Sequence, residues 1–286
     1  MNSSESEPGP EPEPGPEPEP GPGPEPGPGP DLGRGVLHPA RAAELISVDR
    51  FAPAAEVARF VEFYWLVRWD LTGHPPYEQK VLAHPNVHLV FEAPRALVYG
   101  VDRSLFVRRL EGVGHALGVK FRPGAFRPFA GHPVGDLADR SVPAAEYFGP
   151  EADRINARIL DEPTAERADD FLRPRLPAPD PVAEEVAAVV ERITGSPDLR
   201  RVDDLARELG LSVRSLQRLF AEYVGASPKW VLRRARLHEA AERARTEGGL
   251  DLAALAVELG YADQAHLTRD FTAAVGISPA RYASSA

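Results

Sequence analysis

Residues 208–228 read ELGLSVRSLQRLFAEYVGASP, and residues 258–279 read ELGYADQAHLTRDFTAAVGISP. Glu208, Leu209 and Gly210 match Glu258, Leu259 and Gly260. After one extra residue in the second copy, Leu216, Arg218, Phe220, Gly225, Ser227 and Pro228 match Leu267, Arg269, Phe271, Gly276, Ser278 and Pro279. A repeat of about fifty residues raises the question of a solenoid. Two copies are too few to stack into one, so the pair reads as one functional unit built twice.

Each copy has the pattern of a helix-turn-helix. In the first, Val202, Leu205, Ala206 and Leu209 recur at helical spacing and give a short helix one apolar face. Asp203 and Asp204 sit near its start, where negative charge suits the helix dipole. Gly210 can take the left-handed conformation that ends a helix, and Ser212 offers an N-cap oxygen to the next one. Leu216, Leu219 and Phe220 then form a buried face, which leaves Arg214, Ser215, Gln217 and Arg218 pointing outward. In the second copy, Leu252, Leu255, Ala256 and Leu259 make the first face, Gly260 ends it and Asp263 caps the following helix. Leu267, Phe271 and Val275 turn inward, leaving Gln264, His266, Thr268 and Arg269 outside. Helix, tight glycine turn and helix is the geometry that lays a second helix in a major groove. Arg donates bidentately to guanine and Gln pairs with adenine, so these are suitable side chains for that position. Between the copies, Pro228 to about Thr246 reads as one helix with Trp230, Val231, Leu237, Ala240 and Ala241 as its buried stripe. Such a helix would fix the distance between the two recognition helices.

These residues resemble a known family. From about 182 to 283 the chain is similar to the DNA-binding domain of AraC/XylS transcription regulators of bacteria. The marks are LGYADQAHLTRDF at 259–271 and GISPARY at 276–282, with Arg236, Leu237 and Ala240 matching the linker-helix pattern. The family's usual Ser, His, Phe in the second recognition helix appears here as Ala265, His266 and Leu267; the leucine keeps an apolar anchor and the alanine removes a hydroxyl. The resemblance implies two helix-turn-helix units joined by a helix. Carried over by position, Arg214, Gln217 and Arg218 would contact DNA in the first unit, and Gln264, His266, Thr268 and Arg269 in the second.

The charge balance is unusual for a nucleic-acid binder. The chain has 43 acidic and 33 basic side chains, a formal net charge of −10. Its first thirty residues carry seven of the negatives and no positive, so the remainder stands near −3. Residues 182–286 hold 14 Lys and Arg against 15 Asp and Glu, so binding must rest on where the arginines are placed rather than on bulk charge. The Pro-, Gly- and Glu-rich stretch 1–34 has almost nothing apolar to bury and reads as a disordered acidic tail. It lacks the basic start and apolar core of a secretory signal, and no run of eighteen apolar residues occurs, so a cytoplasmic protein with no membrane partner is expected.

Residues 45–150 read as a β-rich domain. Leu45 to Val48, Phe63 to Leu71, Glu78 to Ala83, Val87 to Glu92, Leu97 to Val101 and Gly114 to Phe121 are short, rich in β-branched and aromatic residues and broken by Pro, Gly or Asn. The run 60–71 places Phe63, Trp65, Val67 and Trp69 on one face. Short helices are expected at Pro53 to Phe60 and from Pro123 to about 131. The segment 114–143 resembles a domain without assigned function that precedes AraC-type modules in some actinobacterial regulators. A cupin-like barrel at this place is a further expectation from the family. Residues 151–180 read as a helical connector, and 181–286 as the DNA-binding domain. The fold class is therefore α+β and multidomain, with an all-α C-terminal part.

An enzyme finds little support. His84, His88, His115 and His132 invite a metal reading, but the His-x-His spacing of a cupin site is missing. No nucleophile triad, phosphate loop or paired-carboxylate pattern stands out. The absence of cysteine excludes disulfides, thiolate metal sites, thiol redox sensing and a nucleophilic alkyl acceptor. No cofactor is expected. The reading is a regulator that binds double-stranded DNA at two adjacent major grooves, controlled through its N-terminal domain. Its expected partners are DNA, RNA polymerase and a small-molecule effector, as monomer or homodimer. The alternatives are a constitutive DNA-binding protein whose N-terminal domain only makes protein contacts, and a metal-dependent cupin enzyme with a DNA-binding appendage.

Overall fold

The computed structural model describes residues 35–196, 199–247 and 249–284; the acidic tail 1–34 lies outside them. After a short helix α1 (Pro39–Ala43) the chain runs through β1 (Ile46–Phe51), β2 (Val61–Asp70), β3 (Tyr77–Leu82), β4 (His88–Phe91), β5 (Leu97–Tyr99), β6 (Leu105–Leu110) and β7 (Val113–Phe121). There follow α2 (Arg127–Ala130), β8 (Ser141–Pro143), α3 (Ala145–Phe148), α4 (Glu151–Asp161) and α5 (Ala165–Leu172). The C-terminal part is helical: α6 (Pro181–Gly195), α7 (Val202–Glu208), α8 (Val213–Tyr223), α9 (Pro228–Thr246), α10 (Leu252–Glu258), α11 (Gln264–Val275) and α12 (Pro279–Ala283). None of the described helices is long and apolar enough to cross a membrane.

The strands form two antiparallel sheets rather than one continuous ring. One has six strands in the order β1-β2-β7-β4-β5-β8, and the other pairs β3 with β6. Alternation along β2 sorts its side chains. Tyr64 and Leu66 enter a core shared with Phe91, Phe121, Phe126 and Val119, while Trp65 and Trp69 lie on the opposite face. There each indole covers a glycine of β7: a Cβ at Gly118 would overlap Trp65, and one at Gly114 would overlap Trp69. On the core side α4 and α5 close the domain, since Ile159, Ala168, Phe171 and Leu172 belong to the same apolar cluster. Tyr64 seals this contact by donating to Asp169 Oδ1 at 2.6 Å. The helices of 151–172 are thus packed into the β-rich core.

Some local expectations shift. Residues 55–60 form consecutive turns and not a helix; the Ala54 N–H at their start is taken by the Asp169 carboxylate at 3.1 Å. The helix expected from Pro123 begins only at Arg127, with Pro128 in its first turn. The four histidines that invited a metal reading lie apart. His84 lies in the turn before β4 and stacks on His238 of α9 at 4.0 Å between ring centroids, whereas His88 Nδ1 accepts from Trp65 Nε1 at 3.1 Å. His115 meets the Leu160 carbonyl oxygen at 2.8 Å and His132 the Tyr147 hydroxyl at 3.1 Å. Among the described residues no three His, Asp or Glu side chains gather as a metal site would require.

Candidate nucleic-acid interface

The two sequence copies fold by the same local rules. In the first, Leu209 N–H bonds Leu205 O, Gly210 N–H bonds Arg207 O and Leu211 N–H bonds Ala206 O. Fifty residues on, Leu259 N–H bonds Leu255 O, Gly260 N–H bonds Val257 O and Tyr261 N–H bonds Ala256 O. Gly210 and Gly260 have φ of 65° and 72°, the left-handed region that a side chain would make costly. The next helix is capped in each copy by an oxygen that the sequence supplies. Ser212 Oγ accepts from Ser215 N–H at 3.1 Å, and Asp263 Oδ1 accepts from His266 N–H at 2.7 Å. The units end alike too, with Gly225 and Gly276 at φ of 85° and 89°, followed by Ser227 and Ser278 as caps for α9 and α12.

These rules decide which side chains face out. Leu216 and Phe220 of α8, and Leu267, Phe271 and Val275 of α11, are buried. Arg214, Gln217, Arg218, Gln264, His266 and Arg269 are exposed, while Ser215 and Thr268 are half-buried. The Ser215 hydroxyl lies 2.8 Å from Ser212 Oγ, so it joins the cap. The Thr268 carbonyl oxygen accepts from the Thr272 hydroxyl at 2.7 Å. His266 sets its ring edge-on to Tyr261 at 5.1 Å, which orients it at the helix N-terminus.

Most arginines of the helical part are already engaged. Arg192 pairs with Glu208, Arg201 with Asp203, Arg207 with Asp204, and Arg243 with Glu247 and Glu258. Arg245 pairs with Glu242, and Arg200 donates to the Glu258 carbonyl oxygen at 2.7 Å. By contrast, Arg214, Arg218 and Arg269 have no acidic or hydrogen-bond partner among the described residues. A domain with almost balanced charge therefore keeps unneutralised guanidinium groups on its two outward helix faces.

Sequence reasoning missed what holds those faces in place. Asp270, next to Arg269, accepts from Arg233 of α9 at 2.6 Å and from the Tyr261 hydroxyl at 2.8 Å. Burial, with the Asp270 carboxylate second, pushes the Tyr261 phenol above its usual range. Arg236 stacks over the Tyr261 ring at 4.9 Å. The linker helix is covered on more than one side: Val231 and Leu232 join the core of the first unit, and Leu237, Ala240, Ala241 and Ala244 that of the second. Trp230, expected inside, is half-buried, and its Nε1 donates to the Arg103 carbonyl oxygen at 3.2 Å. Arg234, only 4% exposed, donates to Arg103 O at 2.9 Å and Ser104 O at 3.3 Å in the loop before β6. Burial pushes its guanidinium down to about 10. The only sign in the sequence was an Arg inside an otherwise apolar stripe.

The β-rich domain also reaches both helix-turn-helix units. Val101 enters the first unit's core, and Leu37 and Leu82 enter the second's. A turn at 134–137 abuts the end of α8, where a Cβ on Gly135 would come within 2.9 Å of the Ala221 carbonyl oxygen. Arg127 pairs with Glu222 of α8 at 2.6 Å.

Comparison with known families agrees with this geometry. Residues 205–285 match the family described as a helix-turn-helix domain. The chain carries an AraC-type helix-turn-helix domain. Residues 49–143 match a second family, a domain of unknown function (DUF6597), which precedes the AraC-type domain here. Among solved structures, the C-terminal domain of AraT, a response regulator from Geobacillus stearothermophilus, is 24% identical, over 37% of this chain and 87% of that one, with a TM-score of 0.33. The DNA-binding domain of the global transcriptional factor AdpA, solved with a target DNA, is 27% identical over 37% of this chain and 92% of its own, with a TM-score of 0.31. ToxT from Vibrio cholerae is 11% identical, covering 84% of this chain and 97% of that one, with a TM-score of 0.37. Among curated proteins nothing matches.

Proposed function

We propose that this chain is a sequence-specific transcription regulator that reads two adjacent major grooves of double-stranded DNA with α8 and α11, under the control of its β-rich domain. The observation that carries this reading is the charge placement. In a domain where carboxylates, carbonyl oxygens or an aromatic ring engage most arginines, Arg214, Arg218 and Arg269 stay unpaired on the two outward helix faces. Arg214, Ser215, Gln217 and Arg218 would serve the first groove, and Gln264, His266, Thr268 and Arg269 the second. Of these, Ser215 and Thr268 are half-buried, so phosphate or cap roles suit them better than base contacts. The 19-residue α9 spans roughly 28 Å at 1.5 Å per residue, near the roughly 34 Å of one duplex turn. A control role for the β-rich domain is supported by its contacts with the cores of both units.

The test is selection of bound duplexes from a random pool with the full chain and with Arg218→Ala and Arg269→Ala. The expected result is a two-part motif that loses its first half in one variant and its second half in the other. Enrichment of no motif, or of the same motif in all three proteins, would overturn the assignment.

A further inference from the structure

A cleft of about 460 Å³ runs between the β-rich domain and the helices α6 and α9. That size falls in the range of small-molecule sites. Its β-domain wall carries Glu62 of β2, Lys120 of β7 and the turn holding Asn86; its other wall carries Glu191 and Thr194 of α6 and His238 of α9.

The lining mixes polar and apolar groups, and its charged groups carry both signs. Lys120 is 8% exposed and its ammonium bonds Glu62 Oε1 at 2.9 Å. The other Glu62 oxygen accepts from Asn86 Nδ2 at 3.2 Å, so the carboxylate is fixed in place. Nearer α6, Arg122 faces Glu191 across 3.7 Å, a loose pair that joins the two walls. Burial lowers the Lys120 ammonium below the usual lysine range, so a further anionic partner would be favoured there. Two cations and two carboxylates thus sit in one cleft. A ligand of one sign would leave a like charge close by in each pair, at a desolvation cost. A ligand of both signs can put its anionic group on Lys120 and Arg122 and its cationic group on Glu62 and Glu191.

We propose that this cleft binds a small zwitterion of the free amino acid class, and that the occupied cleft shifts the position of α9 against the β-rich domain. The binding site stands on the geometry above, whereas its consequence for DNA rests on the regulator reading. His238, Ala235 and Arg234 all lie on α9, and α9 fastens both recognition helices. A ligand that bound one arrangement of α9 better than another would bias DNA affinity by that difference.

The test uses the full chain without DNA. Thermal melting is followed with each free α-amino acid and, beside it, the carboxylic acid lacking the amine. At least one amino acid should raise Tm by about 2–4 °C at several times its Kd. Its carboxylic acid should bind about tenfold more weakly. Thr194→Trp, at an exposed position lining the cleft, should abolish the shift. Glu62→Gln should erase the preference for the amino acid over its carboxylic acid. No shift with any amino acid, equal binding of the simple acids, or an unchanged shift in Thr194→Trp would each overturn the site. Operator affinity is then measured with and without the amino acid that binds. An unchanged affinity would remove the coupling to α9. Failure to bind any operator would sink the regulator reading while leaving the melting result intact.

Discussion

The two helix-turn-helix units share their turns and caps but differ in what holds them. The recognition helix of the first, α8, ends against the β-rich domain, through Arg127 on Glu222 and the turn around Gly135. That of the second, α11, is tied to the linker helix by the Arg233–Asp270 pair and by Tyr261. Identical motifs therefore fix the inside of each unit and say nothing about its attachment. Although the β-rich domain and the linker reach the cores of both units, α8 itself is placed to feel changes in the β-rich domain, and α11 to follow the linker.

The largest test of this difference lies in the cores. Phe220→Ala and Phe271→Ala each remove a fully buried ring and should cost about 3–5 kcal/mol in urea unfolding. Phe220→Ala should also raise amide exchange in the 134–137 turn, whereas Phe271→Ala should not. A cost below about 1 kcal/mol for either would mean that unit is not packed as described.

Next comes base reading. Arg218→Ala and Arg269→Ala should each weaken operator binding by about 1–3 kcal/mol with little change in Tm. Equal losses would show the two units contributing alike despite their different supports. A large loss for one alone would break the symmetry of the pair.

Acid offers a way to loosen one attachment without mutation. Burial, with the Lys120 charge second, pushes the His88 imidazolium down to about 3, and Nδ1 accepts from Trp65. The unfolded chain takes up that proton near pH 6.5, so it binds more protons than the folded one between about 6.5 and 3. The stability tied to neutral His88 is complete above that window and falls as pH drops through it, by at most about 1.4 kcal/mol per pH unit. The β-rich domain should melt earlier at pH 5 than at pH 7, and His88→Gln should flatten this slope. Amide exchange should then rise in α8 before α11; the reverse order would contradict the attachments drawn above.

The smallest effects come from the ties themselves. Asp270→Asn should weaken contacts in the second groove by about 1 kcal/mol, and Glu222→Gln should change the first by a few tenths, as befits a partly exposed pair. Footprints of the two variants should differ at opposite ends of the operator.

Much of this was legible in the chain. Gly210 and Gly260, Ser212 and Asp263, and the apolar spacing around Leu216 and Leu267 define each unit locally, so the repeat disclosed it. β6 was not legible, because Arg108 and Arg109 interrupt its apolar pattern, and Arg108 turns out to pair with the buried Glu92. β8 has only three residues and gains its place by pairing with β5. Which arginines remain unpaired was hidden as well, since Arg243 meets Glu258 only after folding. The burial of Arg234 against a loop 130 residues away in sequence belongs to the same class.

The central claim is that one chain reads two successive grooves. Hydroxyl-radical footprinting of the full chain on its selected duplex, at a measured one-to-one stoichiometry, tests it most directly. The account predicts two protected patches on one face of the DNA, about 10–10.5 base pairs apart, the first lost with Arg218→Ala and the second with Arg269→Ala. A single protected groove per chain, or two patches that require two chains, would contradict it.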